Sequence, residues 1–171
     1  MNKAAPDPVA RPAFDQLIEL YGNRLTRMCF LYLRDYALAE DAVQETFLRA
    51  YRSYSSFRQN SSVQTWLTRI AINVCHNIRR THWFRLRNSP SLEDVPLAVE
   101  PCEPRDDTVL QQVMALPPKC REVILLHYYQ GFKIAEIAEM LSVSESAVGT
   151  RLKRARDKLR PQLEGWYFDE E

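Results

Sequence analysis

Glycine is scarce in this chain, four in 171 residues. Long stretches carry apolar residues at steps of three and four. Together these features predict an all-α fold. The length suits one ordinary domain or two small ones. With 46% hydrophobic and 26% charged residues, the composition is that of a globular protein.

Residues 1–12, with Pro6, Pro8 and Pro12, read as a flexible lead. A helix is expected over 13–32, with Phe14, Leu17, Ile18, Tyr21, Leu25, Met28 and Leu31 on one apolar face. A break near Arg34 and Asp35 leads to a second helix over 38–54. There Leu38, Ala42, Val43, Phe47, Ala50 and Tyr51 point inward. A polar loop, 55–62, offers Ser or Asn to cap a third helix over 63–84. Trp66, Ile70, Val74 and Ile78 form its expected core stripe. Residues 86–104 place Pro90, Pro96, Pro101 and Pro104 among acids and read as a flexible linker. A second domain then begins with a helix over 106–115, stopped by Pro117 and Pro118. The next helix reaches Tyr129, with Gly131 as its C-cap. The sharpest local pattern follows: a short helix over 134–141, a turn at Ser142-Val143-Ser144, and a helix over 145–159 whose inner face is Val148, Leu152, Ala155 and Leu159. This is a helix-turn-helix pattern. The predicted architecture is two small helical domains joined by a flexible linker, the second containing that motif.

Charge is distributed unevenly. From Thr46 to Leu92 there is no Asp or Glu in 47 residues, while eight arginines and seven aromatics occur. Net charge is only +1, so this is local exclusion of carboxylates. Guanidinium groups fork onto phosphates and aromatic rings stack on bases, so the segment suits a surface facing unpaired nucleic acid. Residues 93–107 carry six acids and one base; residues 145–160 carry six bases and two acids. The outer face of the last helix is therefore basic, as entry into a major groove requires.

Other chemistry finds no footing. Cys29, Cys75, Cys102 and Cys120 form no CxxC pair, and the three histidines have no ligand spacing to them. They read as free thiols of a reducing cytoplasm. No glycine-rich phosphate loop or nucleophile motif occurs, so neither an enzyme, a metal site nor a cofactor is expected. No signal peptide and no membrane-spanning apolar run are found.

Two stretches resemble sigma factors of the extracytoplasmic-function type, within the sigma-70 family. The first is Ala39-Glu40-Asp41-Ala42-Val43-Gln44-Glu45-Thr46-Phe47-Leu48-Arg49-Ala50-Tyr51, followed by Trp66-Leu67-Thr68-Arg69-Ile70-Ala71-Ile72-Asn73. The second is Leu116-Pro117-Pro118-Lys119-Cys120-Arg121-Glu122-Val123, then Glu136-Ile137-Ala138, then Arg151-Leu152-Lys153-Arg154-Ala155-Arg156. The resemblance covers roughly residues 14–84 and 106–163. It implies a region 2 domain over 13–85, an acidic linker over 86–104, a region 4 domain over 105–164 and a tail over 165–171. It further implies a transcription-initiation factor that binds core RNA polymerase, selects promoters by their minus-ten and minus-thirty-five elements and helps melt the DNA.

By the same resemblance, Asp41, Gln44, Glu45, Leu48 and Arg49 dock on the clamp helices of the largest polymerase subunit. Phe57, Asn60, Ser61 and Ser62 belong to a loop that captures a flipped minus-ten base, and Asn73, His76, Asn77 and Arg80 meet the melted strand. Ser146, Thr150, Arg151, Lys153 and Arg154 face the minus-thirty-five duplex. Gly149 departs from the pattern, since members usually carry Lys or Arg there. The linker acids are expected to mimic nucleic acid in the polymerase channel or to cover the basic face of the free protein. Members are commonly held inactive by an anti-sigma protein, often membrane-anchored, which implies a cytoplasmic protein held at the inner membrane face. The alternative is a repressor or activator in which a helical sensory domain precedes the helix-turn-helix. It leaves the acid-free segment unexplained and would bind duplex operator unaided.

Overall fold

The computed structural model describes residues 10–57, 61–88 and 108–162, with side chains over 14–57, 61–81 and 109–161. Seven α-helices and no strand occur among the described residues, and the chain divides into units spanning residues 1–100 and 101–171.

The first unit is a three-helix assembly of α1 (Ala10–Leu33), α2 (Tyr36–Ser53) and α3 (Val63–Asn88), each packed against the other two. Helix α1 begins before the expected residue 13, because Pro12 is tolerated in a first turn, where its missing N–H costs nothing. The expected break at Arg34 and Asp35 is a tight reversal. Arg34 sits in the left-handed region (φ 61°), and its N–H donates to the Phe30 carbonyl at 2.7 Å. Asp35 then turns extended, and its carboxylate accepts from the Leu38 N–H at 2.9 Å, capping α2. Helix α2 brings Ala39, Ala42 and Ala50 fully into the interior, and such small side chains let its neighbours approach closely. The buried Thr46 satisfies its hydroxyl on the Ala42 carbonyl at 2.6 Å.

Helix α3 buries Leu67, Thr68, Ala71, Ile72, Val74 and Cys75 against α1 and α2. The expected stripe Trp66, Ile70, Val74 and Ile78 is corrected: only Val74 is buried, the other three being half-exposed. The cause is geometric. Each four-residue step advances about 40° around a 3.6-residue helix, so a strict four-step ladder slews from one face to another. This one starts outside at Trp66. Helix α1 shows a related correction. Phe14, Leu25, Met28 and Leu31 are buried as expected, but Ile18 is 42% exposed, while Cys29 and Tyr32 are interior. On α2, Leu38, Val43 and Tyr51 are half-exposed.

The second unit contains α4 (Thr108–Ala115), α5 (Pro118–Ile124), α6 (Ile134–Leu141) and α7 (Glu145–Leu159). Pro118 opens α5 from its first turn, as expected. Buried Arg121 donates from a terminal guanidinium nitrogen to the Met114 carbonyl, tying α5 to α4. The helix continues beyond Ile124 as a π turn, Leu125–Tyr129, with the Gln130 N–H donating five residues back to Leu125. Gly131 ends it with φ +80°, a backbone that favours glycine. His127 Nδ1 lies 2.8 Å from the Phe132 carbonyl and secures the exit toward α6.

Between α6 and α7, Ser142 takes the left-handed conformation (φ 54°) and the Val143 N–H donates to Ala138. Ser144 Oγ then accepts from the Ala147 N–H at 3.1 Å and starts α7. Ile137, Val148, Leu152 and Ala155, each at most 1% exposed, close the interior. The helix-turn-helix thus forms where the sequence placed it.

The corrected register is testable. Leu67→Ala, at a fully buried site, should cost about 2–5 kcal/mol. Ile70→Ala should cost markedly less in the same urea titration. The reverse ranking would restore the stripe expected from sequence.

Candidate nucleic-acid interfaces

The acid-free segment becomes a surface on α3. Asn73, Asn77 and Arg80 are exposed, and Arg69 and His76 are half-exposed. Their spacing of three and four places them on one side, opposite the buried arc of Leu67, Ala71 and Cys75. Arg80 donates weakly to Asn77 Oδ1 at 3.4 Å. His76 packs 5.8 Å from the buried Tyr32 ring, over which the Arg79 guanidinium also sits at 5.5 Å. His76 is therefore partly committed to the unit's interior, and the asparagines are the more available groups.

Trp66, expected in the core, is instead half-exposed on this side of the helix, two turns before Asn73. Its ring stacks on Phe57 with centroids 4.5 Å apart and planes 25° from parallel. Tyr54 lies 6.3 Å from it, and Phe14 in turn contacts Tyr54 and Tyr51 edge-on. A string of rings thus runs from the interior to a half-exposed stacked pair beside the loop. Such contacts hold rings in place with about 0.5–1.5 kcal/mol per pair.

The loop itself divides. Ser61 is half-exposed, and Asn60 lies outside the described residues. Ser62 caps α3: its hydroxyl accepts from the Thr65 N–H at 3.1 Å and lies 2.8 Å from the Thr65 hydroxyl. It therefore has a structural duty that the base-capture expectation did not include.

On α2, Asp41, Gln44, Leu48 and Arg49 are exposed and Glu45 is half-exposed, so these five residues form one outward ridge. Leu48 is 52% exposed, an apolar knob among charges. Arg49 Nε pairs with Glu45 Oε1 at 2.6 Å, an exposed contact of about 0.3–0.5 kcal/mol. Beside the ridge a cleft of about 630 Å³ runs between α1 and α2, with Ile18, Gly22 and Thr26 facing Val43, Gln44 and Phe47. That cleft explains the exposure of Ile18, which forms its wall.

On α7, Ser146, Thr150, Lys153 and Arg154 are exposed and Arg151 is half-exposed. The Thr150 hydroxyl donates to the Ser146 carbonyl at 2.9 Å, leaving its oxygen lone pairs outward as an acceptor. The arrangement offers long basic side chains and short hydroxyls on one helix that projects from a helix-turn-helix.

Sequence comparisons place this geometry. The family described as Sigma-70 region 2 matches residues 17–85, and Sigma-70 region 4 matches residues 106–159. The ECF RNA polymerase sigma factor SigM of Mycobacterium tuberculosis is 36% identical over 151 residues, covering 87% of this chain and 76% of that protein. The chain belongs to the extracytoplasmic-function sigma factors of the sigma-70 family. Another relative, sigma factor SigW of Bacillus subtilis, is 32% identical over 170 residues, covering 88% of this sigma factor and 89% of SigW. Among solved structures, the sigma factor RpoE of Bartonella quintana, in complex with the anti-sigma factor NepR, shares the fold. Its TM-score is 0.76 at 24% identity, covering 91% of this chain and 99% of that one. CnrH in complex with the cytosolic domain of CnrY gives a TM-score of 0.65 at 28% identity, covering 90% and 89%.

Among the described residues, no helix is long and apolar enough to cross a membrane, and no cluster of three or more His, Cys, Asp or Glu could hold a metal.

The capping role of Ser62 has a direct check. Ser62→Ala should destabilise the chain by about 1 kcal/mol, while Ser62→Asp, which preserves the cap, should stay within a few tenths. Equal losses in chemical unfolding would remove the cap from the account.

Proposed function

We propose that three surfaces divide the work of this sigma factor. As a member of its family it directs core RNA polymerase to promoters, and sigma factors of this family are initiation factors rather than enzymes. The finer assignment is as follows. The α2 ridge of Asp41, Gln44, Glu45, Leu48 and Arg49 docks on the clamp helices of the largest polymerase subunit. Its acids and apolar knob complement a basic helical surface. Phe57, Asn60, Ser61 and Ser62, with Asn73, His76, Asn77 and Arg80, handle the minus-ten strand, and Trp66 joins them. Ser146, Thr150, Arg151, Lys153 and Arg154 meet the minus-thirty-five duplex.

The observation that carries this reading is the outer face of α3. It lies opposite the buried arc, carries no acid, and displays amides, arginines and a stacked aromatic pair. Flipping a base costs a few kcal/mol of stacking, which aromatic contact and hydrogen bonds at the new site offset. Asparagine suits adenine edges, whereas arginine suits guanine or phosphate. Residues 13–85 then act as region 2 and 105–164 as region 4, joined by the acidic segment 86–104.

An anti-sigma protein is the partner we infer for the inactive state, held at the inner membrane face when that protein carries an anchor. The support is indirect: RpoE of Bartonella quintana, a sigma factor of this fold, was solved with an anti-sigma factor bound.

Run-off transcription tests the function. Purified protein and bacterial core polymerase on a promoter-fragment library should yield starts that share two upstream elements and vanish without the protein. Duplex binding by the protein alone, with no specific starts, would instead support a repressor or activator. On a promoter so identified, Arg154→Ala should cost about 1–3 kcal/mol if it reads a base, and unaltered promoter use would exclude that role. Asn60→Ala should reduce open-complex formation more than duplex binding. Equal loss of both would argue against base capture.

A further inference from the structure

Two of the described glycines, Gly22 and Gly149, sit inside helices, and neither is called for by the fold. Gly131 is explained by its positive φ; Gly149 has no such backbone and lies within α7, one turn from its start. A Cβ built on Gly149 would meet nothing within 4 Å. Intramolecular packing therefore leaves room for a side chain, yet glycine within a helix costs up to about 1 kcal/mol relative to alanine. Nothing among the described residues offsets that cost.

The position relative to the rest of α7 shows what could. Val148, Leu152, Ala155 and Leu159 are buried, so the opposite side, with Ser146 and Thr150, points most directly away from the interior. Gly149 lies about 100° around the helix from Thr150, on a flank, three residues after Ser146 and four before Lys153. The opposite flank carries Arg151, Arg154 and Lys158, all with long basic side chains. The Gly149 flank carries Glu145 in the first turn and regains long side chains at Lys153 and Arg156, one and two turns beyond the glycine. A helix with its side chains is about 10–12 Å across, and the major groove is about 12 Å wide. Loss of one side chain on a flank is thus significant for how the helix seats.

We propose that Gly149 is a point of close DNA approach, where the sugar–phosphate wall of the major groove packs against the bare α7 backbone between Ser146 and Lys153. The helix then sits offset toward that wall, with Arg151 and Lys158 on the opposite flank reaching the phosphates of the other. Gly149 becomes a specificity determinant, because the offset fixes which base edges Ser146, Thr150 and Lys153 can meet. The inference rests on α7 being the minus-thirty-five reader.

The test uses Gly149→Ala and Gly149→Leu in the full chain, with core polymerase and a promoter found by run-off. Both residues favour helix, so both variants should unfold at higher temperature than the parent. Transcription that depends on the minus-thirty-five element should nonetheless fall, roughly five- to tenfold for Ala and further for Leu, relative to transcription from a pre-melted template lacking that element. A raised melting temperature with promoter use equal to or above the parent would overturn the proposal. If scrambling the minus-thirty-five element leaves the parent protein unaffected, the reading of α7 itself fails, independently of the glycine.

Discussion

Everything outward on α3 depends on what the helix hides. Leu67, Ala71, Val74 and Cys75 are pinned between α1 and α2, and this burial fixes the rotation of the helix about its axis. A turn of one residue would carry Asn73 and Asn77 by about 100° toward the interior and expose apolar surface in their place. A burial worth about 25 cal/mol per Å² of apolar area therefore governs where amides and guanidinium groups point. The ring string from Phe14 through Tyr54 to Trp66 extends the same control to the surface, since each ring is braced by the one behind it.

The second unit adds local hydrogen bonding to its buried core of Ile137, Val148, Leu152 and Ala155. Ser142 in the left-handed region, the bond from Val143 to Ala138, and the Ser144 cap set the angle at which α7 leaves α6. The Glu136 carboxylate, accepting from the Lys133 N–H at 2.8 Å, fixes the start of α6 in the same way. Lys153, Arg154 and Lys158 are thereby presented to solvent, while Arg151 and Arg156 are half-buried.

Much of this could be read from the residues. Helix existence followed from three- and four-residue spacing, and punctuation followed from Asp35, Pro118, Gly131 and Ser144, whose roles are set by short-range stereochemistry. The helix-turn-helix was legible because its signals are local and mutually consistent. Rotational detail was not. Trp66 looked interior because an aromatic in an apolar ladder usually is, and only the packing of α1 and α2 decides which side of α3 is covered. Ile18 failed for a different reason: the opening of a cleft between two helices is a property of their separation, which no single-helix pattern contains. The duty of Ser62 as a cap was foreseen among loop residues in general, and its geometry selected one of them. The docking candidates of α2 do all face outward, as the charges of Asp41, Glu45 and Arg49 require.

The π turn after α5 has a consequence for how the chain tolerates change in length. Between Leu125 and Gln130 the backbone closes its hydrogen bond over five residues where an α-helix uses four. It therefore holds one residue in reserve. Removal of a residue there can be absorbed by tightening to the ordinary helical closure, leaving Gly131 and the entry to α6 near their places. The same deletion in α7 has no slack to draw on and would swing every later side chain by about 100°. A one-residue deletion is thus better absorbed at Leu125–Tyr129 than within α7, where it would break the phase of the helix-turn-helix.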